Sequence, residues 1–327
     1  MQRRLENLND PGFAYASYFL IKSYQSENRS VPSGLYFNKA MSFVNAEMKK
    51  RKEDIKLPHS WYRWGDEVVR YYMPRELTWT HEEAGYTKVN WEGTPPRINY
   101  SIKNDVEALI KEFLQRYPVN SDSWYEELLA DHYDGAPFEF QRAFKSSRDI
   151  LFDRTRPDKS ERNYASSEIL LGIYKKAFST FPSDKLFHPV KKFIPTFLSL
   201  IAYPLSGSKE DLLVANEISE EFWYWFCYFL RVHPLAHENI DEDTVAYWKS
   251  QLEPETSRFF RNFDDYAKRL SEKFPEILKD DLLVAHVQEE TKRLQEWEER
   301  MANFEEIIDG LDDFLSGKIG LKKNSDA

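Results

Sequence analysis

At 327 residues, with 41% hydrophobic and 16% aromatic side chains, the chain carries too much apolar surface to stay disordered and too many residues for one compact helical core. Its formal net charge of −10 is unevenly placed: residues 1–156 hold 23 basic and 23 acidic side chains, so the acidic excess lies in the remainder and argues against wrapping nucleic acid there. Only 11 glycines, a single cysteine, no apolar run behind Met1 to Glu6 and no clean apolar stretch of about 20 residues weigh against a turn-rich sheet protein, an internal disulfide, a signal peptide and a membrane span, so a reducing cytoplasm is the expected setting.

In chain order, Asp10-Pro11 reads as an N-cap and first-turn proline ahead of a helix over 13–24. A second helix is expected over 35–51, with Phe37, Met41, Val44 and Met48 at helical spacing and a basic end, Lys49-Lys50-Arg51-Lys52. There follows an aromatic run, His59-Ser60-Trp61-Tyr62-Arg63-Trp64-Gly65-Asp66, which must be covered by the chain's own core or by a partner. Residues 85–102 alternate around Gly93-Thr94-Pro95-Pro96 and predict a β-hairpin. Helices are then expected over 106–117 and 123–133, the latter ended by Gly135 and Pro137.

The polar stretch from Arg154 to Arg162 contains Pro157 and no apolar periodicity, which is the signature of a linker. It divides the chain into a first domain over 1–153, a linker over 154–165 and an acidic helical domain over 166–327. In the second domain helices are expected over 166–181, 187–205, 217–232 and 258–274. Phe222 to Phe226 make the third of these apolar all round, so Trp225 and Cys227 should be buried in it. Leu294, Trp297, Met301, Phe304, Ile308, Leu311 and Leu315 form a heptad seam for packing on a neighbouring helix or for a homodimer. The fold class is therefore mainly α: two helical domains, the first with a small β-hairpin, the second a bundle with a long C-terminal helix.

Chemical motifs are scarce. No glycine-rich phosphate loop and no Gly-x-Ser-x-Gly elbow is present, and one cysteine excludes cysteine-based zinc clusters. His233 and His237 have ligand spacing, with Glu238 behind them, but Pro234 breaks the helix they would need. His81-Glu82-Glu83 is half of a metal motif. In Asp131-His132-Tyr133-Asp134 either carboxylate could orient the ring and raise its pKa, which suits a general base or a histidine that closes the domain. His59 reads as a core anchor. No catalytic residue, metal or cofactor is expected.

Two pieces of the first half resemble the Panacea-type domain, the SocA-like antitoxin family. One is Asn38-Lys39-Ala40-Met41-Ser42-Phe43-Val44 followed by Trp61-Tyr62-Arg63-Trp64-Gly65-Asp66-Glu67-Val68. The other is Glu127-Leu128-Leu129-Ala130-Asp131-His132 followed by Pro137 and Phe138. The chain departs from that pattern where Asp66 replaces a proline after Gly65 and Ala40 replaces a leucine after Lys39, and Trp79 to Pro96 are inserted. The resemblance spans about residues 10–145. It implies a prokaryotic, non-enzymatic interaction protein, an antitoxin or regulatory subunit of a toxin–antitoxin or defence-like system, whose partner is a toxin or effector enzyme. The candidate partner-binding residues are Trp61, Tyr62, Arg63, Trp64, Asp66 and His132. The alternative is a nucleic-acid-binding accessory using Lys49–Lys52, Arg63 and the aromatics beside it as a phosphate and stacking surface. A more distant third is a metal-dependent hydrolase built on His132 or on His233 with His237.

Overall fold

The computed structural model describes residues 11–26, 31, 33–63, 65–69, 72–81, 87–119, 124–155, 166–286, 288, 289 and 292. The fold is mainly α, with only small antiparallel sheets. Helices α1 (Pro11–Gln25), α2 (Gly34–Lys50) and α3 (Tyr100–Arg116) form the first core. Their apolar residues recur at helical spacing, so Phe37, Met41, Val44 and Met48 of α2 face Val106, Leu109, Ile110 and Phe113 of α3 in one buried cluster. Ser33 caps α2 by accepting from the Tyr36 amide, and Asn99 caps α3 through the Ser101 amide.

The strands β1 (His59–Tyr62) and β2 (Gly65–Val68) form a tight hairpin with Arg63 at its turn, and β3 (Leu77–His81) pairs with β4 (Thr87–Trp91) against α1 and α2. Helix α4 (Trp124–Asp134) lies between the two halves. The second core is built from α5 (Glu139–Thr155), α6 (Ser167–Ser179), α7 (His188–Leu205), α8 (Lys209–Val232), α9 (Glu242–Ser250) and α10 (Leu252–Ser271). Helix α8 is central: Phe222, Trp223, Trp225, Phe226, Cys227 and Phe229 are all buried, as the apolar run from Phe222 requires. Trp225 stacks on Phe259 of α10 with ring centroids 4.3 Å apart, and Phe222 touches the rings of Phe144, Phe178 and Phe197. A capping box between Ser208 and Asp211 starts α8, and His233 leaves the helix with extended backbone because Pro234 cannot continue it.

The structure corrects two expectations. The hairpin lies earlier than predicted: β3 and β4 supply its strands, whereas Gly93 to Ile98 lead into α3, since Pro95 and Pro96 have no amide to give a ladder and Asn99 caps a helix. Sheet is also not confined to that region, because His59–Tyr62 and Gly65–Val68 pair with each other and with β5 (His237–Glu238) in the order β2-β1-β5. The second hydrophobic cluster also takes in α5, together with Trp61 of β1 and Tyr133 of α4. Phe140, Phe144 and Leu151 pack with α6 and α8 rather than with the first core. Residues 156–165 of the linker and the heptad seam from Leu294 to Leu315 lie outside the described residues.

Because Phe222 sits among five aromatic neighbours, Phe222→Ala should cost about 3–5 kcal/mol in urea unfolding. It should also speed thiol labelling of Cys227, which wild-type protein should resist until it unfolds. Labelling at the rate of a free thiol in folded wild-type protein would contradict the burial of α8.

Candidate functional site

The period-two alternation of β1 and β2 distributes the aromatic run over two faces. His59 and Trp61, with Asp66 opposite Trp61 in the ladder, turn to one side; Tyr62 turns to the other. Each face meets a different set of residues.

On the first face lies a buried ionic cluster. Asp66 is 7% exposed and Lys39, from the centre of α2, 1%. The Lys39 ammonium donates to the Asp66 carbonyl oxygen at 3.1 Å. The Asp66 carboxylate lies 2.5 Å from His59 Nδ1, and His59 Nε2 lies 3.2 Å from Glu238 Oε2, which Lys49 also pairs. The Asp66 amide donates to His132 Nε2 at 2.8 Å, so the His132 proton must sit on Nδ1. The His132 ring stacks on Trp61 with centroids 4.9 Å apart. Gly65 makes this approach possible: its φ is +89°, and a Cβ there would stand 2.8 Å from Lys39 Nζ and 2.9 Å from His132 Cδ2.

The electrostatics of the cluster follow from burial and charge pairing. Burial holds Lys39 down to about 7, against the pull of Asp66 and Glu67. Burial also opposes charge on His59, but Asp66 and Glu238 together outweigh it and raise the ring to about 9. Burial and then the Lys39 cation push His132 down to about 3. Asp66 is lowered because His59, His132 and Lys39 outweigh its desolvation. Glu238 is lowered to about 2 by the His59 hydrogen bond and by Lys49. These groups saturate one another. In particular, His132 has no proton-accepting capacity near neutral pH, because its Nε2 lone pair is engaged and its proton affinity is depressed.

The expected orientation of His132 by Asp131 or Asp134 is therefore corrected. Asp131 instead accepts from Arg116 and from Tyr117, and Asp134 from Arg142. The two carboxylates face away because they lie on the exposed side of α4, while His132 points to the hairpin. His233 and His237 do not share a ligand site: His233 caps the turn at Leu235 and stacks on Phe187, while His237 lies in β5. Glu82 and Glu83, the carboxylates of the other half motif, lie outside the described residues. Among the described residues no group of three or more His, Cys, Asp or Glu could hold a metal ion, and no helix is long and apolar enough to cross a membrane.

The second face is cationic and aromatic. Arg63 lies over Tyr224 of α8 at 4.4 Å from the ring centroid and over Tyr62 at 5.3 Å, and it donates to the Tyr228 hydroxyl at 3.2 Å. Arg231 lies 4.6 Å from the Tyr62 centroid, 5.0 Å from that of Tyr228 and 5.2 Å from Trp248 of α9. The Arg63 carbonyl is fixed by Trp223 Nε1 at 2.8 Å. Tyr62, Arg63, Tyr224 and Arg231 are partly exposed, while Trp61 belongs to the core.

Of the candidate residues, then, Trp61, Asp66 and His132 meet in the ionic cluster, Tyr62 and Arg63 form the second face, and Trp64 lies outside the described residues. Sequence reasoning missed Tyr224, Tyr228 and Arg231, although their i, i+4, i+7 spacing places them on one side of a helix. It also missed the roles of Lys39, Lys49 and Glu238 in the cluster. For Glu238 no local signal exists, since it reaches His59 from 179 residues away.

Two outcomes are expected. Gly65→Ala should destabilise the protein by more than about 1 kcal/mol, read by urea unfolding, because both the positive φ and the Lys39–His132 approach oppose a Cβ. Acid should also unfold the protein progressively below pH 6.5. His132, lowered from 6.5 to about 3, and Glu238, lowered from 4.5 to about 2, bind more protons unfolded than folded across that range, so their contribution is full above pH 6.5 and is lost as pH falls. His59 acts in the opposite sense, stabilising below 6.5 and losing its contribution as pH rises through about 9. His132→Asn, which keeps an acceptor for the Asp66 amide, should flatten the limb between pH 6.5 and 3. An unchanged slope would show that His132 is not held neutral.

No family model matches the chain, and no match was found to a curated protein or to a solved structure.

Proposed function

We propose that this chain is a non-enzymatic interaction protein that binds a protein partner, and that the partner docks where the β1–β2 turn meets α8. One observation carries this reading: Arg63 and Arg231 lie partly exposed over Tyr62, Tyr224 and Tyr228, a combination of residue types that dominates interface hot spots. Aromatic rings hold each guanidinium in place, so little side-chain entropy is left to lose on binding. The neighbouring ionic cluster supports binding over catalysis, since its ionisable groups are already engaged with one another.

What the resemblance of residues 10–145 to the Panacea-type domain adds to this proposal is a toxin or effector enzyme as the partner, with this chain as the antitoxin or regulatory subunit. The nucleic-acid alternative has less support. Of the basic run, Lys49 pairs with Glu238, Lys50 with Glu47 and Arg51 with Asp105, so these charges are already matched by carboxylates.

Tagged protein purified from its native host should retain a stoichiometric protein partner. Arg63→Ala should weaken that association by about 2 kcal/mol or more without changing the helical circular dichroism. Recovery of nucleic acid in place of a protein, or retention unaffected by Arg63→Ala, would overturn the proposal.

A further inference from the structure

Resting on the interaction reading above, we infer that Arg63 and Arg231 form an oxyanion site that receives carboxylate side chains from an acidic segment of the protein partner. Both guanidinium groups lie against the same two rings, Tyr62 and Tyr228. The Nε atoms of both are buried without a hydrogen-bond partner, as are those of the paired Arg148 and Arg258, so an incoming carboxylate would meet the Nη groups. Among the described residues neither arginine has a carboxylate within ion-pair distance, whereas Arg51, Arg116, Arg142, Arg148 and Arg258 each have one. A chain with ten more acidic than basic residues thus leaves, among its described residues, two adjacent arginines without an acid. A planar guanidinium donates two parallel hydrogen bonds to a carboxylate, which adds geometric specificity to the charge pairing.

The occupant follows from charge and extent. A nucleic-acid strand presents a phosphate at every nucleotide and needs a track of open cations. Among the described residues, the other arginine over these rings, Arg258, is closed by Glu255, and Arg148 is closed by Glu220, so Arg63 and Arg231 are the two open cations against Tyr62 and Tyr228. One or two carboxylates on a short acidic segment match that supply. The surrounding rings of Tyr224, Tyr228 and Trp248 would cover the apolar stems of glutamate side chains and exclude water from the pair.

The test uses full-length protein and a fluorescein-labelled hexaglutamate peptide, followed by anisotropy, with hexaglutamine, an oligothymidylate and inorganic phosphate as comparisons. Hexaglutamate should bind and hexaglutamine should not. Arg63→Gln and Arg231→Gln should each weaken hexaglutamate binding tenfold or more, and Arg231→Lys should fail to restore it because a point charge lacks the fork. The Nε–H resonances of both arginines should shift on titration, a readout independent of the fold stability of the variants. Hexaglutamate binding that ignores both substitutions overturns the inference. So does arginine-dependent binding that is tighter to oligothymidylate, or equally tight to phosphate alone. A native partner whose association survives Arg231→Gln leaves the interaction reading standing and removes this one. Arginine-dependent hexaglutamate binding by a chain that retains no native partner does the reverse.

Discussion

Asp66, whose carboxylate has almost no access to water, is the residue on which four separate segments converge through its side chain, its carbonyl and its amide. An uncompensated charge at such a position is costly by several kcal/mol, so the residues around it cannot be placed independently. Lys39 brings α2, His59 brings β1, His132 brings α4, and Glu238 brings β5 through His59. The hydrophobic cores set how much surface is buried, and the cluster adds directed contacts between segments that the cores do not share. The directed hydrogen bonds of the cluster fix the register, and Gly65 is the residue without which the ammonium and the imidazole could not approach.

The hairpin mediates between the halves because a strand has two faces. One face holds the charge cluster; the other lies on α8, where Trp223 fixes the Arg63 carbonyl and Tyr228 meets the Tyr62 ring. A ligand pulling on Arg63 would thus act on a turn that is anchored at its backbone, and the guanidinium would not have to be ordered first. The aromatic packing of α8 supplies the stiffness behind it, since Trp223 stacks with Phe144 of α5.

How much of this could be read in the sequence depended on the range of the interaction. The helices around Phe37, Val106 and Phe222 were legible because helical periodicity is a local signal. So was the end of α8 at Pro234. The hairpin was misplaced because the glycine–proline step at 93–96 looks like a turn between strands, while the alternation of Leu77 and Trp79 with Val89 and Trp91 is short and crosses a sequence without turn residues of that strength. In the site, Arg63 and its aromatic neighbours stood out by composition. His132 drew attention for the wrong partners, since Asp131 and Asp134 are near in sequence and Asp66 is near in space. The contribution of α5 to the second core was hidden because the polar stretch after it is a stronger local mark than the short break before it.

The pairing of β5 with β1 has a consequence for how the chain is made. Ser60 waits for His237 and His59 for Glu238, a residue 179 positions later. At about 5–20 residues per second, synthesis would leave that edge of β1 open for roughly 10–35 s. During this interval the nascent first half holds a bare strand edge, which could recruit other chains. Helices α1 to α3, which depend on contacts within the first half, can condense in the meantime, so the order of translation itself separates the formation of the first core from the closure of the sheet.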